Sequence, residues 1–583
     1  LFRSPSLKYA VIGGLGLSFF VFMVLSLAVT HEFKDLKDSF LKSYYKTYPV
    51  NATWIGVHEY DGSLTDYSRK ALDSRASYLK NISEQIESLD FSRLNQNDHI
   101  DYEILLDAIR SEQFELLELK EATWNPLVYM GELGFAFESL IGFEFASASE
   151  RANTFLSRLN ETPNFLFQAE ALLDSCPQIH LNTAIRQCDG VMQMLDSGID
   201  LFLEDIESDL AVKIKSASKI ALASLTQFKA FLENKLKEPH KDFRLGSDLY
   251  EHKLSHILRE NLSAKTVLEK AEEFLKITQD DMADLAFPLY TEWFGEEPKI
   301  DSHGDKQKMV RRVLDRISED HVGREEVMED ALGTISELTQ FIQDKNLLTL
   351  DPNKPLEVRP MPEFQRGVSV ANLQAPGPLE SNLQTYYNVS PVPEDWDNER
   401  VESFLREYNH ISVTILSIHE ALPGHYVQLY YANRHPSLIR AVFSSGVMIE
   451  CWAHYTEAMM IEEGLGGGDP RYDLVQKKWR LRGIANAIID QKIHAGNMTR
   501  EEAMNLMVAE TFQEEAEASA KWVRAQLTSA QLSTYFVGSM LIEELRKDYQ
   551  QKHGDDFSLK TFHETLLSQG SIPVRYLRQI LLD

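Results

Sequence analysis

Apolar residues recur every three or four positions along most of the chain, the spacing that places side chains on one face of an α-helix. Two stretches show the pattern clearly. They contain Leu72, Leu79, Ile82, Ile86 and Leu89 in one case, and Val327, Ala331, Ile335, Leu338 and Ile342 in the other. We interpret both stripes as helix faces that pack into the core. The sequence therefore predicts a mainly α protein.

One region, from Leu356 to Val389, does not follow the helical pattern. It contains two β-rich runs, RGVSVANL and LQTYYNV, set among several prolines. Short runs of this composition with prolines on either side are typical of strands at the edge of a small sheet. We predict a small antiparallel sheet, with strands confined mainly to residues 355–395. The helical pattern resumes near Glu399.

The chain of 583 residues is long enough to bury a large core. We divide it into a helical N-terminal part, residues 31–350, and a part that carries the chemistry, residues 351–583. Residues 1–30 are different, because the run from Tyr9 to Thr30 has no charged residue. This run predicts either a secretory signal peptide or an uncleaved signal anchor in the membrane. Both alternatives predict an exported protein, periplasmic or anchored so that it faces the periplasm.

Composition argues against one class of partner and leaves open whether the chain forms a disulfide bond. The formal net charge of −30 repels phosphate backbones, which argues against a nucleic-acid partner. The chain has three cysteines. Cys176 and Cys188 could pair in an oxidising compartment, which would leave Cys451 as a buried thiol, but spacing alone does not determine disulfide geometry. The oligomeric state is not indicated.

The segment HEALPGHYVQ contains two histidines, His419 and His425, that are six positions apart. On a regular helix this separation rotates the two side chains by about 240° relative to each other, so they could not bind one ion. Pro423 cannot donate a backbone hydrogen bond, and Gly424 accepts backbone angles that other residues avoid. We therefore expect a local bulge between the histidines that brings both imidazoles to one side. The alternative is a helix break beside two unrelated histidines.

A second helical stretch supplies candidate carboxylates. Glu450, His454 and Glu457 are spaced by four and three residues, so they share one helix face. Glu450 has apolar neighbours on both sides in the sequence, where an unpaired carboxylate would be costly. Two histidines and one glutamate are a common ligand set for catalytic Zn²⁺. The alternative is that the glutamates form an ordinary solvated helix face.

These segments resemble a known family. HEALPGHYVQ and ECWAHYTE resemble the two signatures of the bacterial domain of unknown function 885, whose members are predicted zinc peptidases distantly similar to carboxypeptidase Taq and the helical oligopeptidases. The resemblance extends from YPVNATWIGVHEYDGSLTDYS to VRAQLTSAQLSTYFVG. In the latter, LTSA stands where the family has Pro-Gly, and Ala525 replaces a tyrosine. The resemblance implies a large, helical, zincin-like metallopeptidase fold, with the small sheet preceding the zinc-binding helix.

Spacing and resemblance together assign roles to the candidate residues. His419, His425 and Glu450 are expected to hold Zn²⁺, and Glu420 is expected to act as the general base. Glu457 is expected to orient a histidine ligand from behind. The other candidates are Tyr535 or His494 as hydrogen-bond donor to the oxyanion, and Arg524 or Arg546 as a clamp for a substrate carboxylate or else as ordinary surface ion pairs. The role of His454 stays open.

The function predicted from these residues is that of an exported zinc-dependent metallopeptidase acting on short peptides, of carboxypeptidase, dipeptidase or oligopeptidase type. The strand QTYYNVSP is expected to line the cleft and pair with an extended peptide. Two alternatives stay open: a zinc amidohydrolase that acts on a non-peptide amide, and a non-catalytic periplasmic binding protein. The presence of Glu420 argues against the second alternative, because a metal scaffold needs no base.

Overall fold

A computed structural model describes residues 5–361, 371–380, 382–394 and 396–582, with side chains described from residue 26 onward. Most of the predicted signal segment, Tyr9 to Thr30, therefore lies outside the described side chains. Its backbone belongs to the first helix, Pro5–Thr47. Within the described part of the chain, no helix is both long enough and apolar enough to cross a membrane.

The protein is 72% helix and 2% strand, which confirms the prediction of a mainly α fold. The first thirteen helices precede the sheet. They are α1 Pro5–Thr47, α2 Pro49–Ile55, α3 Arg69–Glu87, α4 Gln96–Phe114, α5 Leu127–Gly142, α6 Ala148–Leu172, α7 Gln178–Gln193, α8 Asp200–Glu204, α9 Ser208–Lys235, α10 Ser247–Leu258, α11 Ala264–Phe294, α12 His303–Ile317 and α13 Val327–Asp344.

Three strands follow, and eleven further helices complete the described chain. The strands are β1 Glu357–Pro360, β2 Ala371–Gln374 and β3 Tyr386–Val389. The helices are α14 Asn398–Glu407, α15 His410–Glu420, α16 His425–Ala432, α17 Leu438–Val442, α18 Gly446–Glu462, α19 Pro470–His494, α20 Arg500–Met504, α21 Glu515–Leu527, α22 Ser533–His553, α23 Leu559–Leu567 and α24 Val574–Leu582.

The sheet lies where the sequence predicts it, but it is mixed and not antiparallel. Its strand order is β1-β3-β2, with β3 parallel to β1 and antiparallel to β2. The prediction of an all-antiparallel sheet is therefore wrong, because β1 and β3 run in the same direction and β2 pairs with the other side of β3. Among the described strands β3 is central, so the segment QTYYNVSP has no free edge there, and β2 lies at an edge instead.

The core continues across the boundary drawn at residue 350. One hydrophobic cluster joins Phe33 and Leu79 in the N-terminal helices to Trp452 and Leu577 in the C-terminal part. A second cluster is built mainly from α5, α6, α7 and α9. The predicted apolar stripes are buried at most of their positions. The chemistry-bearing helices therefore rest on a scaffold that includes the N-terminal part.

All three cysteines are buried free thiols, so Cys176 and Cys188 are not paired in this structure. Cys451 lies at a close crossing of α18 and α22. A Cβ atom added at Gly538 would lie 2.4 Å from the Cβ of Cys451 and 2.8 Å from the Val447 carbonyl oxygen. Only glycine permits this approach, which fixes α18 against α22.

Candidate metal centre

The two histidines lie on separate helices. Helix α15 ends at Glu420, and α16 begins at His425. The intervening turn starts at Ala421, whose φ of −114° and ψ of −88° are not helical. The imidazole rings of His419 and His425 nevertheless lie against each other, edge to face, with centroids 4.7 Å apart and planes at 84°. The chain therefore does not bulge within one helix as expected, because one helix ends and a second begins between the histidines. The two imidazole rings are nevertheless brought together, as the bulge was expected to do.

Close backbone packing explains the glycine in this turn. A Cβ atom at Gly424 would lie 1.9 Å from the carbonyl oxygen of His419 and 2.2 Å from that of Ile418. No larger residue fits in that space. The peptide bond before Pro423 is cis, and the Pro423 carbonyl accepts a hydrogen bond of 2.8 Å from the buried indole of Trp452. The turn is therefore held both by α15 and by α18.

Glu450 approaches both imidazoles from α18. Its Oε2 atom lies 3.8 Å from Nε2 of His419 and 3.8 Å from Nε2 of His425. All three ligand atoms lie within 4.8 Å of one another. Glu450 Oε2 and His425 Nδ1 are buried and have no hydrogen-bond partner among the described residues. Because an unpaired buried carboxylate oxygen is costly, its orientation toward two imidazole nitrogens fits a bound cation.

Glu457 lies behind the candidate ligand His419, on the side of its Nδ1 atom. Its Oε1 atom is 2.7 Å from Nδ1 of His419 and 3.0 Å from Nδ1 of His454. Burial would raise the pKa of Glu457, but the charge of His454 and the hydrogen bonds from both histidines outweigh it and lower the pKa to about 2. A carboxylate that accepts a hydrogen bond from Nδ1 keeps that nitrogen protonated and turns Nε2 of His419 toward Glu450.

The two histidine ligands differ in their electrostatic surroundings. Burial opposes protonation of His419, yet the hydrogen bond and charge of Glu457 raise its pKa to about 9. Burial, with the charge of His419, holds the pKa of His425 well below its usual range. His425 is therefore a neutral imidazole, which is the form that binds metals. His419, His454 and Glu457 also lie close enough to form a metal-binding group, but their short Nδ1–Oε1 contacts are those of hydrogen bonds.

Glu420 ends α15 directly beside the first ligand. Strand β2 packs against α15, and the backbone of Leu373 lies close enough to Glu420 to lower the pKa of its carboxyl group. Burial raises the pKa of Glu420, and the charge of Glu450 adds to this, although His419 opposes it. A carboxylate with a raised pKa next to a metal site is suited to accept and return a proton. The contact also places the edge strand β2 at the site.

Tyr535 lies on the His454 side of this cluster. Its ring centroid is 5.7 Å from that of His454, and its hydroxyl accepts a hydrogen bond of 2.9 Å from Arg524. Gln531 also reaches the hydroxyl, at 3.4 Å. The LTSA replacement in the sequence leaves three nearby residues unchanged. Their side chains form one hydrogen-bonded group, made of Arg524, Gln531 and Tyr535.

The structure does not place His494 at the site. This residue is 2% exposed, and its Nε2 atom lies 2.8 Å and 2.7 Å from the carbonyl oxygens of Ala525 and Thr528. Because the nitrogen is committed to two backbone acceptors, His494 is a packing residue and its prediction as oxyanion donor is corrected. Arg546 pairs with Glu462 at 2.7 Å, so it is a surface ion pair and not a clamp.

Several buried or paired polar residues carried no sequence signal. Asp490 is completely buried and accepts hydrogen bonds from the backbone of Ala530 and from the backbone and hydroxyl of Ser533, which anchors the start of α22. Arg482 and Lys521 were missed because charged residues on helices usually face solvent. A separate cavity of about 880 Å³, lined in part by Tyr67, involves none of the proposed metal ligands.

Comparison with known proteins gives the family and the fold. A solved structure described as a putative lipoprotein of unknown function from Shewanella oneidensis is 34% identical, with a TM-score of 0.83 over 94% of this chain and 100% of that one. A putative lipoprotein from Colwellia psychrerythraea is 18% identical, with a TM-score of 0.77 over 96% and 98% of the two chains, and shows the same fold. No curated protein is significantly similar in sequence.

The family model for bacterial proteins of unknown function, DUF885, matches residues 49–581. This range covers the sheet, the two histidine helices, α18 and the C-terminal helices that pack on them. The predicted resemblance is thereby confirmed, and this chain belongs to the DUF885 family.

Proposed function

We propose that this protein is an exported zinc-dependent metallopeptidase that hydrolyses short peptides. The observation that carries the proposal is the unpaired Oε2 atom of Glu450, equidistant from Nε2 of His419 and Nε2 of His425. Two imidazoles and one carboxylate are the protein ligands of many hydrolytic zinc sites, which keep a further coordination position open. Glu420 lies beside these three residues and can act as a general base. A hydrolase needs such a base, whereas a site that only stores a metal or stabilises the fold does not.

In this proposal His419, His425 and Glu450 hold the ion, and Glu457 keeps the His419 ring in position. A bound Zn²⁺ supplies Lewis acidity toward the substrate carbonyl. Glu420 removes a proton from the attacking water and transfers it to the leaving amine. Its raised pKa suits both steps, because the carboxylate must accept the proton and then release it.

The edge strand β2 offers a way to bind an extended peptide. An edge strand can pair its backbone with a substrate segment, and Leu373 of β2 already reaches Glu420. This assigns to β2 the role that the sequence suggested for QTYYNVSP. Tyr535 lies next to His454 and is the first choice as hydrogen-bond donor to the oxyanion. Donors of this kind often contribute strongly to catalysis.

Export is supported by two observations of different kinds. The uncharged run from Tyr9 to Thr30 has the composition of a signal peptide or signal anchor. The similar chains from Shewanella oneidensis and Colwellia psychrerythraea are described as putative lipoproteins, which are membrane-associated. Fractionation of the native host should therefore place the chain outside the cytoplasm, and recovery of the full-length chain in the cytoplasm would contradict this part of the proposal.

The test combines metal analysis with a digest. Purified protein should bind about one Zn²⁺ per chain and cleave peptides from a synthetic short-peptide mixture, as read by mass spectrometry. The Glu420→Gln variant should retain the zinc and lose about 10²- to 10⁴-fold in rate. A protein that binds zinc, leaves peptides intact and hydrolyses other amides would instead be an amidohydrolase.

A further inference from the structure

Three cationic side chains gather on α19 and α21, close to the metal centre. Arg482 donates a hydrogen bond to Glu517, and Lys521 donates one of 2.8 Å to the buried side chain of Gln513. Arg524 lies one helical turn beyond Lys521 on α21.

Contacts connect this group to the ligands. The Arg524 guanidinium lies 5.9 Å from the ring centroid of Tyr535, which is 5.7 Å from that of His454. His454 in turn contacts Glu457, the residue behind His419. The charge of Glu457 also acts on Arg482, so α19 brings its cation to the same side of the centre.

Glu517 and Glu407 raise the pKa of Arg482, but they do not offset the cost of burying Lys521. Burial, reinforced by the charge of Arg482, lowers the pKa of Lys521 to about 7, and Arg524 acts in the same direction. Glu517 counters only part of this, because its hydrogen bond is made to Arg482. The next carboxylate, Glu407, is paired with a different cation, Lys478, at 3.1 Å. An incoming anion would therefore be favoured here.

Solvent reaches both the cations and the metal ligands. The side chains of Arg482 and Glu517 are 21% and 25% exposed, and that of Glu450 is 23% exposed. These side chains are therefore partly accessible to a ligand and are not sealed inside the core.

We propose that Arg482, Lys521 and Arg524 bind the free C-terminal carboxylate of the peptide that is cleaved at the metal centre. This inference rests on the proposed peptidase function and specifies its substrate class. Guanidinium groups bind carboxylates by paired hydrogen bonds, which gives both affinity and orientation. Arg524 lies 5.9 Å from the Tyr535 ring, which lies 5.7 Å from the His454 ring. An extended peptide covers about 3.3–3.6 Å per residue, so these two distances together correspond to a few residues of substrate. The enzyme would thus remove residues from the C-terminus of short peptides.

The experiment uses two synthetic libraries of tri- and tetrapeptides, identical except that one ends in free carboxylates and the other in amides. Zinc-loaded full-length protein is incubated with each, and cleavage is followed by mass spectrometry. Binding is measured separately by affinity selection on the zinc-loaded Glu420→Gln variant. The test variants are Lys521→Gln and Arg524→Gln. The control is Arg546→Gln, which removes a cation paired with Glu462.

We expect kcat/KM for the carboxylate library to exceed that for the amide library by about 10- to 100-fold. Lys521→Gln should reduce this ratio mainly through KM, because Lys521 makes no contact with Tyr535 among the described hydrogen bonds. Arg524→Gln should reduce the ratio as well and can also lower kcat, because it hydrogen-bonds Tyr535. The control variant should keep the wild-type ratio, and thermal melting should confirm that all variants are folded.

The outcomes separate the two proposals. Equal cleavage of both libraries, or an unchanged ratio in a folded Lys521→Gln variant, would overturn the carboxylate site and leave the peptidase standing. Preferential binding of carboxylate peptides without cleavage would support the site and overturn the peptidase. If neither library is bound or cleaved, both proposals fail.

Discussion

Glu457 Oε1 lies 2.7 Å from Nδ1 of His419, and the carboxylate is completely buried. The contact determines which ring nitrogen of His419 faces Glu450 and His425. A carboxylate on the far side of a histidine ligand fixes its tautomer and makes it a better electron donor. The orientation of the candidate centre is therefore set one layer behind the ligands.

Replacing this carboxylate should weaken metal binding without removing a ligand. We expect Glu457→Gln to lower zinc affinity by about 10- to 100-fold, because the amide can still form a hydrogen bond but carries no charge. Competition with a chelator of known affinity measures the change. Glu462→Gln, on the same helix but paired with the surface residue Arg546, should bind zinc as the wild type does.

Removal of a proposed ligand should have a larger effect. His425→Ala takes away one of the two imidazoles that face Glu450, and we expect most of the bound zinc to be lost at micromolar protein concentration. Elemental analysis after gel filtration gives the occupancy. His240→Ala, on an exposed loop, serves as the control. Full zinc occupancy in His425→Ala would mean that the histidine is not a ligand.

The turn between the two histidine helices should tolerate no side chain at Gly424. Gly424→Ala places a Cβ atom against the His419 carbonyl, and relief of the clash must move the turn or the ligand. We expect a loss of about 1–3 kcal/mol in unfolding free energy together with weaker zinc binding. Chemical denaturation and zinc titration measure the two effects.

Gly333→Ala provides the matched control for this substitution. Gly333 lies within α13, and a Cβ atom there would meet nothing within 4 Å. Because alanine favours the helix and restricts the unfolded chain, stability should rise by about 0.4–1 kcal/mol. If Gly424→Ala were equally well tolerated, the close packing of the turn would be disproved.

Acidification should destabilise the protein partly through His563. This histidine is completely buried between Tyr455 and the Leu347 carbonyl, and burial lowers its pKa to about 3. Between about pH 6.5 and 3 the unfolded chain therefore binds a proton that the folded chain does not, so stability falls as pH falls. The contribution approaches 1.4 kcal/mol per pH unit in this window.

The variant His563→Gln tests this assignment, because glutamine can donate and accept hydrogen bonds but does not titrate. Its unfolding free energy should depend less steeply on pH between 6 and 4 than that of the wild type. His252→Gln, which alters a largely exposed histidine, should keep the wild-type slope. Identical slopes for all three proteins would assign the acid sensitivity to other groups.

The features that the sequence predicts well are those that local spacing encodes. The stripes containing Leu79 and Val327 indicate helices, because burial of one helix face imposes a fixed period. The approach of His419 to His425 was also predictable, since Pro423 and Gly424 interrupt the regular helix between them. In each case the relevant physics acts within a few residues.

The features that were missed depend on contacts between distant segments. The parallel pairing of β1 with β3 reflects a crossover that strand composition does not encode. His494 looks like a catalytic histidine in the sequence, but its partners are carbonyl groups more than thirty residues away. Lys521 looks like a solvated lysine until α19 brings Arg482 beside it.

The candidate ligands come from three helices, α15, α16 and α18, and this arrangement has a thermodynamic consequence. An ion held by all three fastens together segments that are otherwise joined only by turns and side-chain packing. By mass action, a free zinc concentration of 100 times the dissociation constant adds about 2.7 kcal/mol to the folded state. The protein's resistance to heat and proteolysis should then follow zinc availability in its surroundings, so that scarcity of the metal would lower its abundance as well as its activity.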